Sequence, residues 1–457
     1  MNTKNSLLKS NNKKSKIRQS NRNINLKCIR SNYILKQIFE HLCEKCSLEL
    51  IKYNKDIQKI LDINIDNYKL FSQLYSTIEL EIKVIERKKG NFIYIEEEKD
   101  KPYFHIYFND NLKEIKKRNK NELTKKDKVS KIKIVIDYQI KSFKRLFTYC
   151  TIIESINFIK FKRNNIINMN EMFDNCWALK EINLTNFTTD NVIEMSHMFN
   201  NCKSLECLDL SNFNTYNLEH MGYMFTGCHS LKDLNISNFN TDKVIYMHCM
   251  FWECSSLKSL NLTNFNTNST IRMFNMFDGC SSLTNLDISS FNTSNVDKMN
   301  EMFKGCSSLK EINLSNFNTS NVEDMSGMFK ECTSLKKINL SNFNTSNVQD
   351  MSGMFNGCSS LKEINLSNFN VINVYNLSCM FYECKSLEKI KLFKFNNKGK
   401  IDLYEMFYCC SSLKELNLSN LNMNKVSLIN GMFSLCSDKF KKMIKSKNKN
   451  LRKEAFD

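Results

Sequence analysis

The chain has 457 residues, 42% of them hydrophobic, and a formal net charge of +18, which is more than one ordinary globular core requires. The charge excludes a basic nucleic-acid face on the body: residues 1–27 hold eight Lys or Arg and no acid, and residues 437–457 hold eight against Asp438, Glu454 and Asp457. No run reaches the roughly 18 apolar residues of a membrane span, and the first 27 residues offer only Leu7-Leu8 as an apolar pair, too little for a signal-peptide core.

These features predict a cytoplasmic or nuclear protein without membrane insertion, whose nineteen cysteines stay reduced. Export to the cell surface by an unrecognised route is the alternative.

Residues 1–27 read as a basic disordered tail, capable of weak, non-specific contact with nucleic acid or acidic surfaces. Residues 28–77 read as helical. Ile34, Leu35, Ile38, Phe39 and Leu42 share one face, and Leu48, Ile51, Ile57, Ile60 and Leu61 suggest a second and a third helix. Cys43-x-x-Cys46, with Cys28 nearby, lacks a second Cys/His pair at finger spacing and predicts no metal site. Residues 78–139 change to a period of two, a β-rich region and solenoid cap. Its strand-like runs are Glu79–Val84, Phe92–Ile95, Tyr103–Phe108 and Lys131–Ile136, with a Lys-rich loop over 113–131.

From 140 to 436 the chain repeats. Twelve cysteines from Cys150 to Cys436 recur every 26 residues, each in Phe-x-x-Cys, and the last eleven read Met-Phe-x-x-Cys. Only a stack of equivalent turns keeps so strict a period. In the repeat 302–327 the apolar positions are Met302, Phe303, Cys306, Leu309, Ile312, Leu314, Phe317, Val322 and Met325. Leu309-x-x-Ile312-x-Leu314 is the L-x-x-L-x-L core of a leucine-rich repeat, with Ile312–Leu314 the expected strand. Asn316 and Asn318 flank Phe317 as buried amides satisfying the turn. The fold class is therefore an α/β repeat solenoid: leucine-rich repeats of 26 residues, one short parallel strand per turn, after a small α+β N-terminal region. Residues 437–457 read as a basic C-terminal tail.

The alternation of Asn-Leu-Ser-Asn-Phe-Asn-Thr-Ser-Asn-Val with Met-Ser-x-Met-Phe-x-x-Cys-x-Ser-Leu resembles the BspA-like leucine-rich repeats, in the variant found in mycoplasma surface lipoproteins and protist repeat families. The resemblance covers about residues 146–436 and implies a curved right-handed solenoid with a binding role, that of a surface adhesin if the chain is exported by an unrecognised route. A second, shorter resemblance lies in Ile34-Leu-Lys-Gln-Ile-Phe-Glu-His-Leu42, which is similar to the opening of an F-box without its leading Leu-Pro. With leucine-rich repeats behind it, that motif implies a substrate receptor of a ubiquitin ligase.

The cysteine column (Cys176, Cys202, Cys228, Cys254, Cys280, Cys306, Cys332, Cys358 and Cys384 at its centre) reads as a small apolar filler in the core. Successive thiols stack and cannot surround an ion, so no metal is expected. None of the six histidines joins a nucleophile in a motif, and no phosphate loop, Rossmann glycine pattern or kinase set occurs. No catalytic residue, cofactor or small-molecule substrate is predicted, and the chain is not expected to be an enzyme.

Binding then falls to the columns that vary. Trp252, Tyr382 and Tyr408 occupy the first x of Met-Phe-x-x-Cys, and Tyr223, Tyr246 and Tyr375 replace polar or small residues, which makes these six the candidates for holding a protein partner. A lysine column (Lys180, Lys232, Lys258, Lys310, Lys336, Lys362, Lys414) is offset by its neighbour, Glu181, Asp233, Glu311, Glu363 and Glu415, and reads as a solvated face.

Overall fold

The computed structural model describes residues 31–40, 42, 54–109, 111, 113–115 and 121–457. The N-terminal tail, Cys28, the Cys43-x-x-Cys46 motif, Leu48, Ile51 and part of the Lys-rich loop lie outside the described residues. Two compact units divide the chain, Met1–Phe71 and Ser72–Asp457.

In the first unit the helix Asn32–Glu40 buries Leu35 and Phe39 against Ile57 of the short helix Lys55–Ile60. Asn54 caps that second helix, its side chain accepting from the Ile57 amide at 3.2 Å. The apolar stripe of the first helix is only half used: Ile34 and Ile38 remain 52% and 37% exposed. A third helix, Ile65–Tyr75, runs across the boundary between the units.

The second unit opens with β1 (Ile78–Val84), β3 (Phe104–Phe108) and β5 (Lys131–Ile136), whose alternate residues Leu80, Ile82, Ile132 and Ile134 are fully buried. Phe92–Ile95 forms no strand. The two-residue β2 (Gly90–Asn91) pairs just before it with β4 (Glu122–Leu123), and Phe92 and Ile93 then turn inward as an irregular plug, with the Tyr94 amide bonded to the Leu146 carbonyl at 2.7 Å.

The pivot is β6 (Ile153–Lys160), where the sequence suggests only the first repeat. It pairs antiparallel with β1 (Ile82 opposite Ile156) and parallel with β7 (Glu181–Asn183), the first strand of the stack. The sheet order is β3-β5-β1-β6-β7. One sheet is thus both an N-terminal cap and the start of the solenoid, so the first turn has no open edge. Arg163, fully buried, braces this junction by donating to the Asp137 carbonyl at 2.8 Å, to the Ile140 carbonyl and to Asn165 Oδ1 at 3.1 Å.

Beyond β7 the solenoid is knit by two ladders. One is the row of three-residue strands, as at Ser259–Asn261 and Asn285–Asp287 or Glu363–Asn365 and Lys389–Lys391, paired parallel in register. The strand sits one residue earlier than Ile312–Leu314 would place it: its middle residue alone points inward, as Ile364 does at 5% exposure between exposed Glu363 and Asn365. The other ladder is a row of single bridges from Ser142 through Asn168, Glu194, His220, Tyr246, Arg272, Lys298, Asp324, Asp350 and Asn376 to Asp402. After each bridge, alternate amides donate to the next turn. Glu301 donates to Ser326 at 2.8 Å, Phe303 to Met328 at 2.9 Å and Gly305 to Lys330 at 2.7 Å.

Inside, like stacks on like. The Phe147 ring lies 5.6 Å from Phe173, and the column continues through Phe303 and Phe329 at 5.5 Å to Phe407 and Phe433 at 5.9 Å, with near-parallel planes. The cysteine column is wholly buried, and from Cys176 onward each thiol also donates to a phenylalanine carbonyl of the preceding turn, as Cys306 does to Phe277 at 3.2 Å. Burial pushes these thiols up, Cys228 and Cys358 to about 12.

A threonine column does what the asparagines beside Phe317 are expected to do. Thr189, Thr215, Thr241, Thr267, Thr293, Thr319 and Thr345 are at most 1% exposed. Thr319 Oγ1 donates to the Asn344 carbonyl at 2.9 Å and accepts from the Asn344 amide at 2.9 Å. The asparagines stay on the surface, where Asn342 Nδ2 reaches back to the Leu314 and Phe317 carbonyls at 3.0 and 2.8 Å.

The segment 437–457 is a cap and not a solvated tail. Ser437 caps a helix, Asp438–Lys447, that buries Phe440 and Ile444, and the chain then lays Glu454 and Ala455 on the last turn as a substitute repeat. Their carbonyls accept from the Gly431 and Phe433 amides at 2.7 Å each, and Phe440 and Phe456 cover the last ring, Phe433. The lysines sit on the outer face of this amphipathic element, which is why composition alone suggested a tail.

The threonine ladder makes a specific stability prediction. Thr319→Val, which keeps shape and loses both hydrogen bonds, should cost about 1–3 kcal/mol in urea unfolding, against about 2–5 kcal/mol for the cavity left by Leu309→Ala or Phe303→Ala. A Thr319→Val chain as stable as the parent would remove the ladder from the account.

Candidate protein-interaction face

Each turn runs from its bridge to its cysteine with core and surface positions interleaved. In the turn of Tyr246 the side chains of Met247, Met250, Phe251 and Cys254 fill the core, all at 0% exposure. Ile245, Tyr246, His248, Cys249 and Trp252 lie between them. The equivalent five positions of successive turns form a strip along the bridge ladder whose side chains differ from turn to turn, most of them half-buried and Cys249 buried at 3% exposure.

One of the five is costly. The position of Cys249 has left-handed backbone in turn after turn, with φ of 57° at His197, 58° at Tyr223, 55° at Cys249, 55° at Cys379 and 51° at Glu405. Gly327 and Gly353 hold the same conformation in the middle repeats. A side chain there costs roughly 1–2 kcal/mol that glycine avoids, and Arg145, Glu171, Asn275 and Glu301 accept that cost in the same column.

Two aromatic blocks stand on the strip. In the first, His197 stacks on Tyr223 at 4.5 Å and His220 on Tyr246 at 5.3 Å. His248 meets both tyrosines edge-on at 5.0 and 5.9 Å and stacks on Phe274 at 4.8 Å. The Arg272 guanidinium lies 5.6 Å from the Tyr246 ring centre. Burial lowers His248 to about 4, with Arg272 and His197 adding to it, and burial likewise lowers His197 despite Asp174, Glu171 and Glu194. Burial and the neighbouring Cys249 thiol push Tyr223 up to about 12. The second block holds Tyr382 stacked on Tyr408 at 4.6 Å, with Tyr404, 41% exposed, beside Tyr382.

Of the six candidates, Tyr223 and Tyr246 therefore join the first block and Tyr382 and Tyr408 the second, while Tyr375 stands 54% exposed on the same strip. Trp252 is half-buried on the same strip, and among the described residues no ring stacks on it. Sequence reasoning missed His197, His220, His248, Phe274 and Tyr404. Their signal was available, because each stands 26 residues from another ring or imidazole in its column or replaces a Ser or Asn of the repeat.

The lysine column lies elsewhere, beside the strand ladder. Lys180 pairs with Glu154 at 3.1 Å, Lys232 with Glu206 at 2.8 Å and Lys414 with Glu388, each one turn back in the same column and not across to the next. These exposed pairs are worth little. Among the described residues no three His, Cys, Asp or Glu side chains converge as metal ligands, and no helix is long and apolar enough to cross a membrane.

Four overlapping stretches, 141–260, 247–364, 299–414 and 332–447, match the family described as Mycoplasma protein of unknown function, DUF285. The chain belongs to that family. DUF285 repeats thus account for the whole stack from the first bridge to the C-terminal cap helix, and the fold they build here is a leucine-rich-repeat solenoid.

Among solved structures, a leucine-rich repeat protein from Bacteroides ovatus is 21% identical over 67% of this chain and 78% of its own, with a TM-score of 0.40. A leucine rich cell surface protein from Faecalibacterium prausnitzii is 16% identical over 64% and 86%, with a TM-score of 0.32. A leucine-rich repeat protein from Eubacterium ventriosum is 15% identical over 62% and 83%, with a TM-score of 0.31. No curated protein matches the chain significantly.

The histidine block should make stability depend on acid. His248 is lowered in the folded chain from its ordinary 6.5 to about 4, so below pH 6.5 the unfolded chain takes up a proton that the folded chain refuses. Its contribution is intact above about pH 6.5 and is lost as the pH falls toward about 4. His248→Phe, which preserves the stack on Phe274, should lose less stability than the parent between pH 7 and 4.5 in urea titrations. Equal losses would place the imidazole in solvent.

Proposed function

We propose that this chain is a non-enzymatic protein-binding scaffold of the cytoplasm or nucleus, and that the strip along the bridge ladder holds its partner. The observation that carries the reading is the pair of aromatic blocks, rings stacked on one another along a rigid ladder of turns. Rigid rings on a pre-ordered surface bind with little loss of conformational freedom. Thiols held in the core as hydrogen-bond donors fit a reducing compartment.

A second reading has one specific observation in its favour. The exposed Ile34 and Ile38 leave an apolar edge on the first helix, as an adaptor-docking F-box-like helix of a ubiquitin-ligase receptor would.

Affinity purification of the full chain from native lysate under reducing conditions tests both. Tyr223→Ala with Tyr246→Ala, or Tyr382→Ala with Tyr408→Ala, should abolish capture of specific partners while leaving the melting temperature within a few degrees. Lys258→Ala with Lys310→Ala on the strand side should capture them undiminished. Partners that survive both tyrosine pairs would refute the strip. Loss of a ligase adaptor on Ile34→Asp with Ile38→Asp, with other partners kept, would establish the receptor reading.

A further inference from the structure

The second aromatic block carries charge as well as rings. Asp402 and Glu405 belong to the turn that also carries Tyr404 and Tyr408. Asp402 spends one carboxylate oxygen on the Tyr404 amide, at 2.8 Å. Glu405 Oε2 lies 3.9 Å from Cys379 Sγ, and its carboxylate, against the Tyr404 hydroxyl, raises that phenol. Among the described residues neither carboxylate has a lysine, arginine or histidine within ion-pair distance, whereas nearby Glu383 is paired with Lys385 at 3.1 Å. Lys330, two turns back, is felt at Cys379 without pairing with either acid.

The first block is built differently. There the cationic side chain is already supplied from within, by Arg272 on the Tyr246 ring, and the imidazoles fill the space between the tyrosines. At the second block the rings and the carboxylates are in place and the cation is missing. Tyr404, at 41% exposure, stands beside Tyr382 of the stacked pair Tyr382 and Tyr408.

A planar cation suits this surface better than a compact one. A guanidinium stacks on a phenol face and donates in a fork to a carboxylate in the same act, while an ammonium is more strongly hydrated and meets the two as a point charge. Glu405, at φ 51°, occupies a left-handed position that Gly431 takes one turn later. Gly431 also leaves the Glu405 side chain its room, because a Cβ there would stand 3.0 Å from Glu405 Cγ.

We propose that Tyr382, Tyr404 and Tyr408, together with Asp402 and Glu405, form a docking site for an arginine-bearing basic segment of a partner protein. This rests on the protein-binding reading above and specifies the chemistry at one end of the strip.

Fluorescence anisotropy of the full chain with fluorescein-labelled nona-arginine, nona-lysine and nona-glutamate at 150 mM salt tests it. The arginine peptide should bind at least about fivefold more tightly than the lysine peptide, and the glutamate peptide should not bind at this block. Glu405→Gln with Asp402→Asn, which keeps the hydrogen-bonding shapes, should weaken the arginine peptide about tenfold or more. Tyr382→Leu with Tyr408→Leu should reduce the preference for arginine over lysine toward unity. Glu206→Gln with Asp209→Asn on the strand side serves as the remote control and should change little. Equal binding of arginine and lysine, or equal weakening by the remote pair, would overturn the assignment. If the arginine peptide fails while Tyr382→Ala with Tyr408→Ala still abolishes partner capture, the guanidinium assignment falls and the protein-binding reading stands. Circular dichroism melting of each variant identifies misfolded chains, and Glu405→Gln alone, on the surface, gives a readout that unfolding does not confound.

Discussion

The phenylalanine, cysteine and threonine columns of the stack rest on copies of themselves one turn away. The phenylalanine rings repeat at about 5.5 Å with nearly parallel planes, the cysteine thiols donate to the same carbonyl turn after turn, and the threonine hydroxyls each bridge an amide and a carbonyl of the next repeat. None of these contacts is strong alone. Their common requirement is a register of 26 residues, since a one-residue slip would set methionine against phenylalanine and leave each threonine facing the wrong carbonyl. The core columns are therefore held nearly constant, and difference is confined to the positions between them. The strip proposed to bind a partner occupies those positions.

A stack also leaves two ends, and this chain closes each with a different device. At the start β6 belongs at once to an antiparallel sheet and to the first parallel pair, so a globular sheet is converted into a ladder without an open edge. At the finish an amphipathic helix shields the last phenylalanine and a short extended segment supplies the carbonyls a further repeat would have offered. Both devices answer the same need to satisfy amides and rings that have no next turn.

The period, the core columns and the burial of the cysteines were legible because each is stated eleven or twelve times over in the sequence. What occurs once was not. The cap at 437–457 hides its buried residues, Phe440, Ile444 and Ala455, among lysines, and β6 looks like any apolar run until its two partners are known. The threonine column was repeated but misjudged. Asparagine is the better-known turn residue, yet the smaller hydroxyl fits the buried site, and asparagine works from the rim. The imidazole block escaped notice for another reason: its members are scattered along the chain and meet only when a spacing of 26 is read sideways across the columns.

The role of the strip follows from the rigidity of what lies beneath it, so register is the claim to test most directly. Two deletions separate it from every lesser explanation: residues 302–327, one whole repeat, and residues 302–326, one residue fewer. Followed by circular dichroism melting, the whole-repeat deletion should keep a single cooperative transition within a few degrees of the parent. The shorter deletion, although it removes less of the chain, should lose that cooperativity or melt far lower. Two chains that melt alike would show that the stack tolerates a broken register, and the account of both the core and its surface strip would fail.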